Sequence, residues 1–571
     1  MELINNIEIC SSPSPKVEIY LSDGRILSGP RNAPVGAFLK KLPEWDNPPI
    51  IGAIVNGDLR ELTFPICLDV KVRPVTMADA DGARIYRRSI TFLLEAAFED
   101  LFPNADLTID HSVSSGGFFC QVVGRDPLSE AELNQLEDHM KSLIAADLPF
   151  ERTQVPLSEA ISYFQSKGHN DKVRLLAYRK KENLVLYKLQ EHEDYYHGYM
   201  VPSTGYLRWF GLRQMGEGFV LRYPRRHSPK ALLPMPDYPK LLNAFRQYGN
   251  WLDHLGISSV GALNDAIRKS RIQEVILVSE ALHEQQVSNI AEQIAARRDQ
   301  IRVVLISGPS SSGKTTFSRR LVVQLLASGI SPFALEMDNY FVEREKTPIG
   351  ENGQLDYEAL DALDRPKLNA DLKDITSERE VQLPHYNFVT GRSEPGDIVQ
   401  LRSDQIVILE GIHGLNPDLI PSFPKEQIYR IYVSCLTQLN LDKHNRISTT
   451  DTRELRRIVR DAHERGYSAQ QTIQRWDSVR RGEKRHIFPF QENADIMFNS
   501  ALVYELSALK PVVEPLLRQV PYGTDEYIEA KRLLAFLEWF LPVDAGFIPD
   551  NSILREFVGG SILHNFKIWQ G

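Results

Sequence analysis

The stretch from Ile301 to Ala327 constrains the fold of this chain more than any other part of its sequence. A run of branched apolar residues ends at Ser307, the loop GPSSSGKT follows at once, and a helical pattern comes next. Branched runs of this kind favour buried parallel strands. The order strand, GxxxxGK[ST] loop, helix is typical of a phosphate site, because glycines let backbone N–H groups turn toward phosphate oxygens at a positive helix N-terminus. The sequence therefore predicts a parallel α/β domain that binds nucleotide phosphates.

Each part of this loop has an expected task. The ammonium group of Lys314 should reach the β and γ phosphates of ATP, and the hydroxyl group of Thr315 should ligate Mg²⁺. The predicted ATP-binding residues are Gly308, Pro309, Ser310, Ser311, Ser312, Gly313, Lys314, Thr315 and Thr316.

Two further predicted strands end in acidic residues. Asp338 closes the run that begins at Pro332, and Glu410 closes the run that begins at Gln405. Parallel sheets place ligands at the carboxyl ends of their strands, so both carboxylates should converge on the loop if the strands are neighbours. Phosphoryl transfer needs one acid to accept the acceptor's proton and another to organise Mg²⁺. We predict the first role for Asp338 and the second for Glu410, with Tyr340 and Phe341 lining the acceptor pocket.

An arginine-rich segment follows at 451–465. Its first four arginines recur at helical spacing and share one face, and acidic residues lie four positions after two of them. One interpretation is a solvated helix with i,i+4 ion pairs. Beside a phosphate loop, however, a positive helix also suits a closing lid that neutralises a transferring phosphoryl group, and we favour the lid. The arginines are Arg453, Arg456, Arg457, Arg460 and Arg465.

Bulk properties restrict the class of protein. A chain of 571 residues is too long for one hydrophobic core. The net charge of −9 argues against a strong, nonspecific nucleic-acid binder. The four cysteines form no CxxC pair, so we expect neither a disulfide framework nor a zinc knuckle. Without a signal peptide pattern or a membrane-spanning apolar run, a cytoplasmic location is expected.

Sequence patterns divide the chain into five parts. Alternating strands and the hairpin signal Asp23–Gly24 predict a small mixed unit over residues 1–78. An α+β unit follows over 79–255, with a helix over 89–102 and strands near 118–123 and 174–178. Residues 256–300 should be a helical linker, 301–510 the α/β domain with helices on both faces of its sheet, and 511–571 a helical extension.

Residues 301–500 resemble the uridine kinase and phosphoribulokinase group of P-loop kinases. The matching pieces are the loop, Met337-Asp-Asn-Tyr-Phe341, Tyr357-Glu-Ala-Leu-Asp361, Pro384-His-Tyr-Asn-Phe388, Glu410-Gly-Ile412 and Arg453–Gly466. The resemblance implies ATP as the phosphate donor and Mg²⁺ as the metal ion.

The same resemblance implies roles for individual residues. The general base falls on Asp338, and the ribose-binding acid falls on Glu358, where uridine kinases usually have Asp. The ribose-contacting arginine falls on Arg457, and the phosphate-contacting lid arginines fall on Arg460 and Arg465. A later lid arginine of the family falls on Tyr467. The aromatic pair that flanks the base falls on Tyr386 and Phe388. The family's base-reading histidine should follow shortly afterwards, but it is absent here. Arg392 stands in that stretch, and we include it among the predicted substrate-binding residues.

Residues 16–255 resemble the N-terminal half of threonyl-tRNA synthetase, a TGS domain followed by an editing domain. The similarity rests on Arg87-Arg-Ser-Ile-Thr-Phe-Leu-Leu, Leu101-Phe-Pro103 and Met200–Gly205. The family's His-x-x-x-His and Cys-x-x-x-His positions read Arg88, Phe92, Tyr196 and Met200 here, so no metal-ligating set remains. The whole arrangement resembles bacterial uridine kinase-like proteins.

Three hypotheses about function follow. The first is a nucleoside kinase that converts a nucleoside and ATP to a nucleoside monophosphate and ADP. The second is a kinase for another small alcohol, since the group includes phosphoribulokinase. The third is an RNA-binding or regulatory protein in which the kinase domain is a nucleotide-driven switch, with RNA bound by the N-terminal half. Glu358, Arg457 and the aromatic pair favour a nucleoside; the sequence leaves the base and the oligomeric state open.

Overall fold

The computed structural model describes residues 12–350, 353 and 355–566. They divide into two compact units. Unit 1 runs to Pro236 and includes Lys443–Asn445 and Pro521–Ile528, and unit 2 comprises the remainder. None of the described helices combines the length and the apolar character needed to cross a bilayer.

Unit 1 is built mainly from antiparallel strands. Its elements are β1 (Lys16–Leu21), β2 (Ile26–Pro30), α1 (Val35–Leu39), β3 (Ile50–Val55), β4 (Asp58–Arg60), β5 (Val70–Thr76), α2 (Ala80–Leu101), β6 (Asp106–Val113), β7 (Gly117–Val123), α3 (Glu130–Ala145), β8 (Glu151–Pro156), α4 (Leu157–Ser166), α5 (Asn170–Leu176), β9 (Asn183–Leu189), β10 (His192–Asp194), β11 (Gly211–Met215) and β12 (Gly218–Arg222).

Three sheets organise unit 1. The first five strands form a mixed sheet of order β2-β1-β5-β3-β4, in which only β1 and β5 run parallel. The others are antiparallel sheets of order β11-β12-β7-β6 and β10-β9-β8. The mixed unit and the hairpin at Asp23–Gly24 are confirmed, since β1 and β2 pair across that turn. Helix α2 covers the predicted helix except for Phe102, its C-cap, and begins nine residues earlier, after Asp79.

One secondary-structure prediction in unit 1 is wrong. The strand expected near Arg174–Tyr178 is instead the end of helix α5 and the turn after it. Leu175 and Leu176 are both buried. Adjacent side chains of a strand point to opposite faces, so a strand buried on one face could not bury both, whereas a helix packed on one side can. The run was too short for its period to separate the two structures.

Unit 2 alternates helices and parallel strands. Its elements are α6 (Pro239–Leu255), α7 (Val260–Arg268), α8 (Ile272–Ala295), β13 (Val303–Ser307), α9 (Lys314–Ala327), β14 (Ser331–Glu336), α10 (Arg365–Thr376), β15 (Val381–Asn387), β16 (Arg392–Val399), β17 (Gln405–Glu410), β18 (Ile428–Ser434), α11 (Thr449–Arg465), α12 (Ala469–His486), β19 (Ile496–Asn499), α13 (Glu505–Leu517), α14 (Asp525–Leu537, whose first four residues belong to unit 1) and α15 (Arg555–Val558).

The predicted parallel sheet is confirmed. Five strands of order β14-β17-β13-β18-β19 all run in the same direction, and β15 and β16 form a separate antiparallel hairpin. Val303 and Leu305 face a core shared with Leu368 and Leu372 of α10. Successive side chains of a strand point to its two opposite faces. Helix α9 also packs against β13. Because β14 and β17 are neighbours in register, their carboxyl ends lie at the same edge beside the loop after β13.

Candidate functional site

The loop between β13 and α9 folds tightly against neighbouring backbone. A Cβ atom at Gly308 would lie 1.9 Å from the carbonyl oxygen of Val433, so only glycine fits there. Gly313 adopts a φ of 82°, in the left-handed region that glycine tolerates best. The Nζ of Lys314 donates a hydrogen bond to the carbonyl oxygen of Pro309 at 3.1 Å. The ammonium group of Lys314 therefore lies over the loop, and its contact with β and γ phosphates stays a prediction.

Thr315 and Glu410 meet at the same edge of the sheet. The Oγ1 of Thr315 donates to the Oε1 of Glu410 at 2.9 Å. Burial raises the pKa of Glu410, against the charge of Lys314 and this hydrogen bond, which lower it. A hydroxyl and a carboxylate are hard oxygen ligands of the kind that Mg²⁺ prefers, and a cation would stabilise the carboxylate's buried charge. The two side chains fit a magnesium ion.

Asp338 lies one strand away from Glu410, just after the end of β14. Its side chain is exposed. Desolvation by neighbouring atoms raises the pKa of Asp338, the charge of Glu336 raises it further, and the charge of Lys314 lowers it. A carboxylate whose pKa is raised while it stays accessible suits the task of accepting a proton. The next residue, Asn339, holds the β15–β16 hairpin nearby, because its Oδ1 accepts the backbone N–H of Tyr386 at 3.3 Å.

A cluster of four aromatic rings lines that hairpin. Phe341 lies 5.9 Å from Tyr357, 5.6 Å from Tyr386 and 6.2 Å from Phe388 between ring centroids, and Tyr386 and Phe388 are 5.1 Å apart. Tyr386 is buried, whereas 59% of Phe388 is exposed. Phe341 was expected to wall the acceptor pocket, whereas Tyr357 was given no role, although it stands inside a matching motif. The cluster presents a partly exposed aromatic face.

The other predicted substrate residues lie in different environments. Tyr340 lies in the core, and its hydroxyl group donates to Asp371 at 3.1 Å. Arg392 is exposed at the start of β16. Glu358 is half-buried, and burial and the charge of Glu483 raise its pKa to about 7, against the charge of Arg457. The guanidinium of Arg457 donates to the Oγ of Ser310 in the loop at 2.8 Å. Glu358 and Arg457 are thus electrostatically coupled next to the phosphate loop.

The arginine-rich segment is helix α11, and its inner face is buried. Arg453 forms a bidentate pair with Glu483 at 2.5 and 2.7 Å, and Arg456 binds Glu505. Arg453 and Arg456 are at most 1% exposed, so the solvated-helix interpretation is wrong for them. Arg460 is mostly buried and contacts Asp461 and Glu556, while Arg465 is exposed and pairs with Asp461. The lid role of these last two arginines stays a prediction.

Two carboxylates at the loop were missed from the sequence. The Oε1 of Glu483, in α12, accepts the backbone N–H of Ser310 at 3.0 Å. The Oε2 of Glu556, in α15, accepts the hydroxyl proton of Thr316 at 2.8 Å. They lie 173 and 240 residues away from their partners along the chain, and neither belongs to a motif that could have marked it.

The positions of the editing-domain residues in unit 1 are occupied by core side chains. Phe92 and Met200 are 1% exposed, and the rings of Phe92 and Tyr196 lie 5.5 Å apart. The hydroxyl group of Tyr196 donates to Glu95, and Arg88 donates to the carbonyl oxygen of Tyr199. These groups are engaged in packing and local hydrogen bonds.

A buried charged cluster lies close to these residues. Among the described residues, Glu95, Asp194 and His444 form the one group of three whose ligand atoms are near enough to share a metal ion, within 4.8 Å of one another. The Nζ of Lys172 lies 2.5 Å from Asp194 and 3.2 Å from the Nδ1 of His444. The ammonium group of Lys172 already supplies the positive charge that a metal ion would bring.

Two parts of the chain are similar to different known proteins. Residues 303–507 match the family model described as Phosphoribulokinase / Uridine kinase family. This part of the chain is a P-loop kinase domain of that family. Among solved structures, a possible uridine kinase from Bacillus stearothermophilus is 20% identical and covers 35% of this chain and 89% of its own, with a TM-score of 0.24. D-glycerate 3-kinase from Cryptococcus neoformans var. grubii is 16% identical and covers 37% of this chain and 89% of its own, with a TM-score of 0.25.

The N-terminal region is similar to threonine–tRNA ligases. The ligase of Polaromonas naphthalenivorans is 35% identical over 170 residues, which cover 30% of this chain and 27% of the ligase. The ligase of Laribacter hongkongensis is 36% identical over 166 residues, which cover 29% of this chain and 26% of the ligase. The chain thus spans about a quarter of the length of these relatives.

Proposed function

We propose that this chain transfers the γ-phosphoryl group of ATP to the 5′-hydroxyl of a nucleoside. The observation that carries the proposal is the aromatic hairpin tied beside Asp338 through Asn339 and Tyr386. Flat aromatic faces bind a nucleobase by stacking, which a small polyol does not need. The carboxylate of Glu358 and the guanidinium of Arg457 supply the acceptor and the donor groups that ribose hydroxyls require.

The chain's own groups can carry out each step of this transfer. The acceptor oxygen attacks the γ-phosphorus, its proton passes to Asp338, and the bond between the γ-phosphorus and the bridging oxygen breaks with its electrons left on ADP. Lys314 and the N-terminus of α9 stabilise the charge on the phosphates. Thr315 and Glu410 would hold Mg²⁺, which would supply positive charge to neutralise the phosphates.

A substrate panel tests the proposal directly. The full-length chain is incubated with Mg·ATP and, separately, with purine and pyrimidine nucleosides, small alcohols including sugar phosphates, and RNA, and ADP release is measured. We expect release with at least one nucleoside and its loss in Lys314→Ala, which removes the charge held over the loop. Release with small alcohols alone would contradict the nucleoside assignment. RNA-dependent turnover without nucleoside would favour the regulatory alternative.

A matched pair of hairpin variants tests the aromatic face itself. Phe388→Ala removes an exposed ring of the cluster and should raise the nucleoside KM about five- to a hundredfold, the usual worth of one stacking contact. Ile398→Ala removes an exposed apolar side chain of the same hairpin, 61% exposed, which is not among the four rings. It should leave KM unchanged. Equal effects from both variants would show that the ring does not bind a base.

A further inference from the structure

The segment Ser552–Phe557 near the C-terminus packs directly on the phosphate loop. A Cβ atom at Gly313 would lie 2.5 Å from the Cγ2 of Ile553, and the guanidinium carbon of Arg456 lies 5.1 Å from the ring centroid of Phe557. The Oγ of Ser552 donates to the Oε1 of Glu280 at 2.6 Å, which anchors the start of the segment to α8. This segment lies outside the region that matches the kinase family.

Glu556 is the residue of this segment that reaches the nucleotide site. Its Oε2 accepts the hydroxyl proton of Thr316 at 2.8 Å, and its Oε1 lies 3.9 Å from the Nη1 of Arg460. Thr316 stands in the first turn of α9, where backbone N–H groups have no partner within the helix and the helix dipole favours a negative charge. The carboxylate of Glu556 therefore occupies a position that suits an anion.

The same position is the one that phosphate groups are expected to use. Thr316 follows Lys314 and Thr315 in the predicted ATP-binding set, so a bound nucleotide brings negative charge next to Glu556. Like charges a few ångströms apart repel, and in a partly dehydrated site the repulsion is stronger than in water. The side chain of Glu556 is 14% exposed, which leaves the group screened only in part by solvent. Its charge also contributes to the raised pKa of Glu410, after burial.

We propose that Glu556 is a built-in competitor of the donor nucleotide, which lowers nucleotide affinity until phosphates displace it from Thr316. The inference rests on the proposed ATP-dependent function. Displacement needs only a local movement, because α15 is a single short turn and two glycines in the left-handed region, Gly559 and Gly560, follow it at once. In this way the C-terminal extension sets the nucleotide concentration at which the kinase domain is half-saturated.

The test measures nucleotide affinity in the absence of any acceptor. Mg·ADP is titrated calorimetrically into the full-length chain and into Glu556→Gln, which keeps the size of the side chain and removes its charge. We expect the Kd of the variant to be about tenfold lower at low ionic strength, since the like-charge repulsion is gone. The difference should shrink as salt rises, because screening weakens the repulsion in the wild-type chain. Glu556→Ala should bind at least as tightly as Glu556→Gln.

A matched control and a stability measurement separate this effect from misfolding. Asp550→Asn removes an exposed carboxylate of the same C-terminal region and should leave the Kd unchanged. ADP should raise the melting temperature of Glu556→Gln more than that of the wild type. An unchanged or higher Kd in Glu556→Gln would overturn the competitor role. Failure of the wild type and every variant to bind ADP would overturn the ATP-dependent function as well.

Discussion

Asp338 is the residue on which the chemistry of the proposed reaction depends most. A ribose hydroxyl is a poor nucleophile until its proton has an acceptor, and Asp338 offers an accessible carboxylate at the end of β14. Asp338→Asn keeps size and most hydrogen bonding but removes the proton acceptor. We expect kcat to fall about 10²- to 10⁴-fold, with nucleotide affinity nearly unchanged, because other groups hold the phosphates. Steady-state kinetics together with ADP titration measure both quantities.

A neighbouring acid provides the control for this prediction. Glu336 is also exposed near the end of β14, so Glu336→Gln changes charge in the same region without removing the proposed base. Its kcat should fall far less than that of Asp338→Asn, because Glu336 raises the pKa of Asp338 but Asp338 remains as proton acceptor. If Asp338 only caps the following turn, asparagine serves equally well, and Asp338→Asn would leave kcat almost unchanged. A kcat within about threefold of wild type would leave general-base catalysis without support, since even the low end of its usual range is larger.

We expect substrate binding to depend on pH through Glu358. Burial and the charge of Glu483 raise its pKa to about 7, so the group is a carboxylate above pH 7 and a neutral acid below it. Only the carboxylate accepts hydrogen bonds with both oxygens. If it binds ribose, the nucleoside KM should rise about tenfold between pH 8 and pH 6, as the ionised fraction falls.

The variant Glu358→Gln separates this titration from that of Asp338. It should have a high nucleoside KM at every pH, with no inflection near 7, because glutamine does not titrate. Any remaining pH dependence of kcat then belongs to other groups. A wild-type KM that is flat from pH 6 to pH 8 would contradict a ribose-binding role for the carboxylate.

Residues that act through a local motif could be predicted from the sequence, and residues that act through distant contacts could not. The loop Gly308–Thr315 and the strand-end acids carry their context within a few positions of the chain. The parallel register of β14, β17 and β13 then brings them to one edge. Glu483 and Glu556 reach the loop from helices far along the chain, and ordinary glutamates in helices give no sign of such a partner.

At the scale of elements, helix α11 joins the phosphate loop to the helices around it. Arg453 and Glu483 pair with both side chains 1% exposed, and Glu483 also holds the backbone of Ser310. Arg453→Met would remove the bidentate partner of the buried Glu483 carboxylate and leave it only the partly exposed Arg480, 3.2 Å away. Breaking such a pair typically costs about 3–5 kcal/mol, so we expect a clear fall in the free energy of unfolding of unit 2. Urea denaturation measures the fall in the free energy of unfolding, and ADP titration measures the accompanying loss of nucleotide affinity.

The same helix provides the comparison variant. Arg465 pairs with Asp461 but is 47% exposed, and exposed pairs contribute at most about 1 kcal/mol. Arg465→Met should therefore leave the urea midpoint almost unchanged. The double variant Arg453→Met/Glu483→Gln should recover part of the stability, because no buried charge is left unpaired. A small effect of Arg453→Met would mean that water or another group stabilises Glu483.

Elements with an unambiguous pattern were predicted correctly. The helix after the loop and the helix at 89–102 extend over enough residues to show their period, and the short strand before the loop is marked by its unbroken branched apolar run and the motif that follows it. The five-residue run at 174–178 has no such pattern, and helix α5 is stabilised there by packing of Leu175 and Leu176 in unit 1. Burial of the inner face of α11 was equally hidden, because arginines read as surface residues until their buried partners are known.

At the scale of the whole molecule, one chain joins a kinase-family domain to a region that is similar to threonine–tRNA ligases. The kinase match covers residues 303–507, and the similarity to threonine–tRNA ligases covers 30% of the chain and only 27% of the ligase. The sequence separated these parts, because each carries its own motifs. Its five proposed boundaries stay predictions. The loss of the editing residues was also visible in the sequence, but their replacement by packed core side chains was visible only in the fold.

The final prediction concerns hydrolysis by the N-terminal part. Hydrolysis of a mischarged tRNA needs an activated water or a base next to the ester bond. Phe92 and Met200 are buried apolar side chains, Tyr196 donates its hydroxyl to Glu95, and Arg88 is bound to the backbone at Tyr199. We therefore expect the full-length chain carrying Lys314→Ala, in which phosphoryl transfer is disabled, to deacylate seryl-tRNA no faster than buffer alone. A threonine–tRNA ligase run in parallel shows that the substrate is competent. Release of serine above the buffer rate would mean that other residues of unit 1, with the buried cluster around Glu95 the first to examine, supply a base that the replaced positions lack.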